Sequence, residues 1–293
     1  MTSLKEYIKD KRPNLSDSSL TTYTSILRSL YKKIYGNETI DPSKFSNTEK
    51  ILDHIKDITP NKRKSILSAL VIITDKKEYR DLMLSDVRDY NAEISKQQKT
   101  ETQEENWVSQ QEVKNKYDEL KKTANQLYKK EHKTGADLQN IQNFIMLALF
   151  TLINPRRSKD YVDFKIKNID KNKDNYMDKG KFVFNSYKTA KTYGKQEITI
   201  PRELTMIINK WIKVNPTDYL LFDQGLNQLS AIKINQRFNR IFDGRKVSVN
   251  NFRHSFLTEK YAEDMKKKNS MADDFSKMGS SIAQAETYIK LDD

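Results

Sequence analysis

Arg156, a lysine at 188 or 191, Arg253 and Tyr288 lie far apart in the sequence, yet together they suffice for phosphoryl transfer without a metal. Two guanidiniums clamp a phosphate bidentately and stabilise charge developing on its oxygens. A lysine can protonate a leaving alkoxide, and a tyrosine hydroxyl can attack phosphorus. With no cysteine and 3 histidines, thiolate chemistry, a disulfide framework and a Cys- or His-built metal site are excluded. No metal or cofactor is expected.

Such a set implies a polyanionic partner, and the charge agrees. The 293 residues carry a net charge of +13, and Lys and Arg that neutralise phosphates gain from counterion release. Residues 1–98 hold 18 Lys/Arg against 14 Asp/Glu, and residues 99–293 hold 35 against 26, so both parts can touch one polyanion. The run Lys62-Arg63-Lys64 adds a candidate phosphate contact just before a helical pattern. No apolar run approaches the roughly 20 residues that span a bilayer, and the start Met1-Thr2-Ser3-Leu4-Lys5-Glu6 lacks a secretion signal's apolar centre. An intracellular chain, neither secreted nor membrane-bound, is expected.

The elements that must position these residues follow from hydrophobic spacing. Leu20, Tyr23, Leu27, Leu30, Tyr31 and Ile34 share one helical face, with Ser16 or Asp17 to cap it and Gly36 to end it. Patterns over 51–58 (stopped at Pro60), 66–73 and 79–94 complete four short helices, predicting an all-α domain over 1–95. Residues 96–106 contain no apolar side chain and read as a flexible linker. The second domain, 107–293, opens with Ser109 three residues ahead of Glu112, the spacing of a capping box. An apolar helix over 138–153 ends at Pro155 and delivers Arg156 and Arg157. Phe182-Val183-Phe184 and Ile198-Thr199-Ile200 flank a basic, aromatic tip from Tyr187 to Gly194 and predict a hairpin, with Asp163 to Ile166 as a third strand. Helical patterns return from Met206, from Leu229 and from Val249. The fold class is mainly α, with an α+β second domain holding a small antiparallel sheet.

In order and separation these boxes resemble the tyrosine recombinase (phage integrase) family over nearly the whole chain. Asn154-Pro155-Arg156-Arg157-Ser158-Lys159 resembles the first-arginine box, implying Arg156 as that arginine and Arg157 as an adjoining DNA contact. The hairpin, ending at Pro201, resembles the family's lysine element. Tyr187-Lys188-Thr189 matches its Lys-Thr pattern, whereas Lys191 stands nearer the usual distance from the proline. Lys188 is favoured as general acid and Lys191 as a DNA contact. Asn250-Asn251-Phe252-Arg253-His254 resembles the second-arginine box, with Arg253 as the arginine, Asn250 in the place of a histidine, and His254 in a supporting or DNA-contacting role. Lys277 to Ile282 followed by Tyr288 resembles the family's C-terminal end, with Ser280 where a histidine or tryptophan is usual and one residue fewer before the tyrosine. Lys159 stands where an acidic residue usually follows the first arginine.

The resemblance implies an N-terminal four-helix, SAM-like core-binding domain and a catalytic domain that close around double-stranded DNA. Tyr288 would attack a phosphodiester to give a 3′-phosphotyrosyl link, Arg156 and Arg253 would hold the phosphate, and Asn250 and Ser280 would add hydrogen bonds. A homodimer or homotetramer on DNA is implied, inside the cell wherever the target DNA lies (nucleus, cytoplasm or viral factory), with a virus or mobile element as source. Two alternatives stay open: relaxation of DNA in the manner of a type IB topoisomerase, and a degenerate DNA-binding member. Asn250 favours the second, because asparagine donates a hydrogen bond but transfers no proton near neutral pH. Beside them stand structural roles: a buried bridge from Arg253 to a carboxylate such as Asp160, and an ordinary surface tyrosine at 288.

Overall fold

The structure, a computed structural model, describes residues 3–37 and 39–290. The chain divides into two units, Met1–Lys99 and Thr100–Asp293. It is mainly helical, with one three-stranded antiparallel sheet among the described residues. No helix among them is long and apolar enough to cross a membrane.

In the first unit, α1 (Leu4–Lys11), α2 (Asp17–Tyr35), α3 (Thr48–Ile55), α4 (Pro60–Thr74) and α5 (Lys77–Ser95) surround Phe45, which a 3-10 turn over Pro42–Ser46 carries into the core. Tyr79 seals that centre by donating its hydroxyl hydrogen bond to the Phe45 carbonyl at 2.8 Å. Among the described residues the unit has one α-helix more than hydrophobic spacing predicts. α1 buries only Leu4 and Ile8, so its apolar signal is brief, and it starts at a capping box between Ser3 and Glu6. α3 ends before Pro60 as expected, and Pro60 itself opens α4, earlier than the pattern from Ile66 predicts, where its missing N–H costs no hydrogen bond.

That shift places Lys62, Arg63 and Lys64 inside the first turns of α4 rather than ahead of it. Arg63 turns inward, its Nε and Nη2 donating to the Asp86 carboxylate at 2.9 and 2.7 Å. Lys64 lies over the Tyr90 ring, and Lys62 is exposed. Of the three, Arg63 is committed to holding α4 on α5.

The second unit begins inside the stretch expected to be a flexible linker. Thr100 and Gln103 form a capping box for α6 (Glu101–Glu105). Asn106 is buried; its Oδ1 accepts from the Lys246 N–H at 2.7 Å and its carbonyl from Asn251 Nδ2 at 2.9 Å. The polar composition there hides an anchored segment, because the buried groups of Asn106 are satisfied by the main chain of Lys246 and the side chain of Asn251. α7 (Gln110–Tyr128) follows. Ser109 caps it, accepting from the Glu112 N–H at 3.1 Å, but the Glu112 carboxylate leaves the box to pair with Arg245.

α8 (Gly135–Thr151) is the central rod. Every residue from Phe144 to Phe150 is buried, as expected of a helix apolar on all faces. The unit continues with α9 (Ser158–Val162), the sheet β1 (Tyr176–Asp178), β2 (Lys181–Phe184) and β3 (Gln196–Thr199), the short α10 (Ala190–Tyr193) at the hairpin tip, α11 (Arg202–Val214), α12 (Ala231–Ile241), α13 (Val249–Lys277) and α14 (Ala285–Tyr288). The sheet runs in order β1-β2-β3, with Tyr176 opposite Val183 and Phe182 opposite Ile198. Its third strand is therefore Tyr176–Asp178 and not Asp163 to Ile166. The latter segment makes only isolated bridges, from Phe164 to Asn175 and from Lys165 to Tyr219.

Candidate active site

Arg156 follows directly on the turn that Pro155 forces after α8, and three elements fix its side chain. Its Nε donates to Asp160 Oδ2 on α9 at 2.7 Å, and its Nη1 donates to Gln196 Oε1 on β3 at 3.0 Å. Its guanidinium carbon lies 4.0 Å from the Phe184 ring centroid on β2. Asp160 is 2% exposed, and its second oxygen, Oδ1, is buried with no hydrogen-bond partner among the described residues. Burial pushes the Asp160 carboxyl up from the usual range, against the pull of Arg156, Arg157 and Arg253.

Arg253 arrives from the other end of the unit. Phe252 on α13 packs between Phe150 of α8 and Phe238 of α12, with ring centroids 5.2 and 4.6 Å away. Anchoring Phe252 in the core sets the next side chain, Arg253, at the core's edge. Its guanidinium has no ion pair or hydrogen bond among the described residues. Burial and the like charge of Arg157 pull its pKa down, with Asp160 opposing. The carboxylate considered for it, Asp160, bonds Arg156 instead. Arg156, Arg157, Asp160 and Arg253 line one open cleft of about 580 Å³, with Thr189, Tyr193 and Gln196 facing them from the hairpin. Such a cleft suits a tetrahedral oxyanion.

The hairpin is tied to the arginine turn by Asn175, whose side chain is completely buried. Its Nδ2 donates to the Asp160 and Ser186 carbonyls at 2.9 and 2.7 Å. Its Oδ1 accepts from the Asn185 and Ser186 N–H groups at 2.9 and 2.8 Å. Beyond it Tyr187 donates to the Gly194 carbonyl at 2.7 Å and closes the tip, which is the helical turn α10 rather than a plain loop. Lys188 and Lys191 are both exposed on that tip and neither lines the cleft; Thr189 and Tyr193 do.

The remaining expected site residues are not gathered here. Asn250 and His254 are exposed on the first turns of α13 and do not line the cleft. Ser280, past the end of α13, donates to Gln284. Tyr288 is 58% exposed on α14, its ring edge-on to Phe275 at 5.9 Å. Phe275 and Arg253 lie on one continuous helix, and at 1.5 Å of rise per residue about 33 Å separates them. In this conformation Tyr288 stands well away from the arginine cleft.

Residues that hold the cleft and were absent from the sequence-based site are Gln196 and Asn175, with Thr189 and Tyr193 on its wall. Asp160 was weighed only as a partner for Arg253. Asp160, in the first turn of α9, lies four residues after Arg156 and pairs with Arg156 instead. The amide residues carry no local signal, because their partners are set by tertiary contacts.

Among the described residues no group of three or more His, Asp or Glu side chains is arranged to hold a metal. No family model matches the chain, and no curated protein does. Among solved structures the chain is similar to a dimer of lambda integrase, residues 75–356, bound to a COC′ core site, at 13% identity and a TM-score of 0.44, over 88% of this chain and 85% of that one.

Proposed function

We propose that this chain binds duplex DNA and cuts and rejoins its strands by tyrosine recombinase chemistry. The observation that carries the proposal is the convergence of Arg156 and Arg253, 97 residues apart in sequence, on one open cleft, with Arg156 already immobilised by Asp160 and Gln196. A guanidinium held before the reaction needs no reorganisation as charge grows on the phosphate. The phenolic oxygen of Tyr288 forms the bond to phosphorus as its proton passes to solvent. The 5′ oxygen departs with a proton from Lys188, whose neighbour Thr189 lines the cleft, and Lys191 rests on the backbone. Arg157, Asn250, His254 and Ser280 supply further contacts to the DNA. The reverse step, attack by a 5′-hydroxyl on the phosphotyrosyl link, reseals the strand and conserves the bond. For Tyr288 to reach a phosphate, the segment beyond α13 either folds back on DNA or enters the cleft of a second copy, in keeping with a dimer or tetramer on the duplex.

The second reading is binding without cleavage. It is favoured by the roughly 33 Å along α13 between Arg253 and the contact of Tyr288 with Phe275, and by the asparagine at 250. Nicked suicide duplexes drawn from DNA flanking the coding gene decide between them. An SDS-stable adduct in the wild type that vanishes in Tyr288→Phe is the expected result. An adduct that survives the substitution moves the nucleophile elsewhere, with Tyr193 first to be tested because it lines the cleft. Tight binding with no adduct establishes the second reading, and relaxation of a plasmid that carries no specific site identifies a topoisomerase.

A further inference from the structure

A second polar cleft, of about 500 Å³, lies in the same unit between the first half of α8, the turn after Phe222 and α12. Its centre is Arg237, whose guanidinium makes only long contacts with neutral acceptors: Nη1 to the Gln139 carbonyl at 3.5 Å and to Asn143 Oδ1 at 3.2 Å, and Nη2 to the Phe222 carbonyl at 3.4 Å. Burial pushes this guanidinium down to about 10, with the like charge of Arg240 adding to the effect and Asp223 opposing it. It is still a cation at neutral pH.

Asp223 does not neutralise Arg237. Its carboxylate is taken by Lys233 Nζ at 2.6 Å and by the Gly225 and Asn227 N–H groups at 2.9 and 3.0 Å. Arg240, one helical turn beyond Arg237, also lines the cleft, and its guanidinium has no hydrogen bond or ion pair among the described residues. The charged side chains of the cleft are thus Lys233, Arg237, Arg240 and Asp223, an excess of two positive charges. A partly desolvated guanidinium without an anion is costly, and an anion that accepts from both arginines offsets that cost and their mutual repulsion. Two arginines three positions apart on a helix suit the several oxygens of a phosphate group.

The site is distinct from the Arg156–Arg253 cleft. From Asn143 to the end of α8 is about 12 Å of helix, with the turn at Pro155 still to follow. We propose that the α8–α12 cleft is a second phosphate-binding site, holding an unreactive phosphate either of a nucleic-acid backbone or of a free nucleotide. Its duplex form rests on nucleic acid being the partner, as above. It does not depend on Tyr288 reacting.

The test uses the full chain, with Arg237→Gln, Arg240→Gln and the double variant, and two probes: a short DNA duplex across a salt series, and ATP by calorimetry. If the phosphate is a backbone phosphate, the double variant weakens duplex binding about tenfold and lowers the log–log salt slope by about 1 to 2, with Arg240→Gln giving part of both changes. Adduct formation at saturating DNA stays as in the wild type. Loss of ATP binding in the double variant at unchanged duplex affinity assigns the cleft to a free nucleotide. Because Arg240 is exposed and unbonded, Arg240→Gln still reports if Arg237→Gln fails to fold. Variants that match the wild type with both probes overturn the site and leave the Arg156–Arg253 cleft untouched, whereas a wild type that binds neither duplex nor ATP overturns both.

Discussion

Arg156 and Arg253 share one cleft, yet they are held in opposite ways, and substitution should separate them. Arg156 is paired with a carboxylate that is almost wholly buried, so Arg156→Met leaves Asp160 without its counter-ion and is expected to cost about 3 kcal/mol in urea unfolding of the second unit. Arg253 has no such partner and is partly desolvated, so Arg253→Met is expected to change stability by less than about 1 kcal/mol while lowering duplex affinity. Equal destabilisation by the two substitutions would contradict this account. Asn175 gives a third contrast, because its buried side chain makes four hydrogen bonds that join the arginine turn to the hairpin. Asn175→Ala strands two carbonyls and two N–H groups, and a loss of about 3 kcal/mol is expected, with faster amide exchange at Asn185 and Ser186 as the local readout.

At the scale of elements, α8 carries the site because its second half, Phe144 to Phe150, is buried throughout and its C-terminal end delivers Pro155 and Arg156. Its start is pinned by Asp137. That carboxylate accepts from Lys130 Nζ at 2.7 Å and from the N–H and hydroxyl of Thr134, both at 2.9 Å, and these bonds, led by the one from Lys130, hold its pKa down at about 2. A carboxyl depressed in the folded state binds its proton less readily there than in the unfolded chain. Its contribution is therefore complete above the ordinary aspartate value and is lost as pH falls through about 2. Asp137→Asn is expected to flatten the pH dependence of the unfolding midpoint between about pH 4 and pH 2, measured by circular dichroism. An identical acid profile in the variant would show that another group sets it.

For the whole molecule, the division falls between Lys99 and Thr100, a few residues after α5. A fragment from residue 100 onward retains α6 and the buried Asn106, and it is expected to fold alone with its own melting transition; a fragment begun at 107 loses the Asn106 bonds to Lys246 and Asn251 and should melt lower. Comparing the two fragments by calorimetry checks this. The net charge of +13 is spread over both units, so duplex affinity is expected to fall steeply with salt for the full chain and less steeply for either unit alone.

The sequence by itself determined the helices whose apolar faces repeat at three and four residues, the central burial of α8, the hairpin, and the pairing of chemistry-bearing types that points to a phosphate. These are local or compositional properties, legible because each depends on residues near in sequence. It also singled out both arginines, since Arg253 follows a core phenylalanine on a helix and Arg156 follows the proline that ends one. Only the tertiary structure decided which side chains meet. It turned Arg63 inward onto Asp86, took Glu112 from its capping box to Arg245, gave Asp160 to Arg156, and built β1 from Tyr176–Asp178. It also set Tyr288 against Phe275, far along α13 from Arg253. Arg63 with Asp86 and Arg245 with Glu112 join groups far apart in sequence, a competition settled by packing geometry that neighbouring residues do not encode.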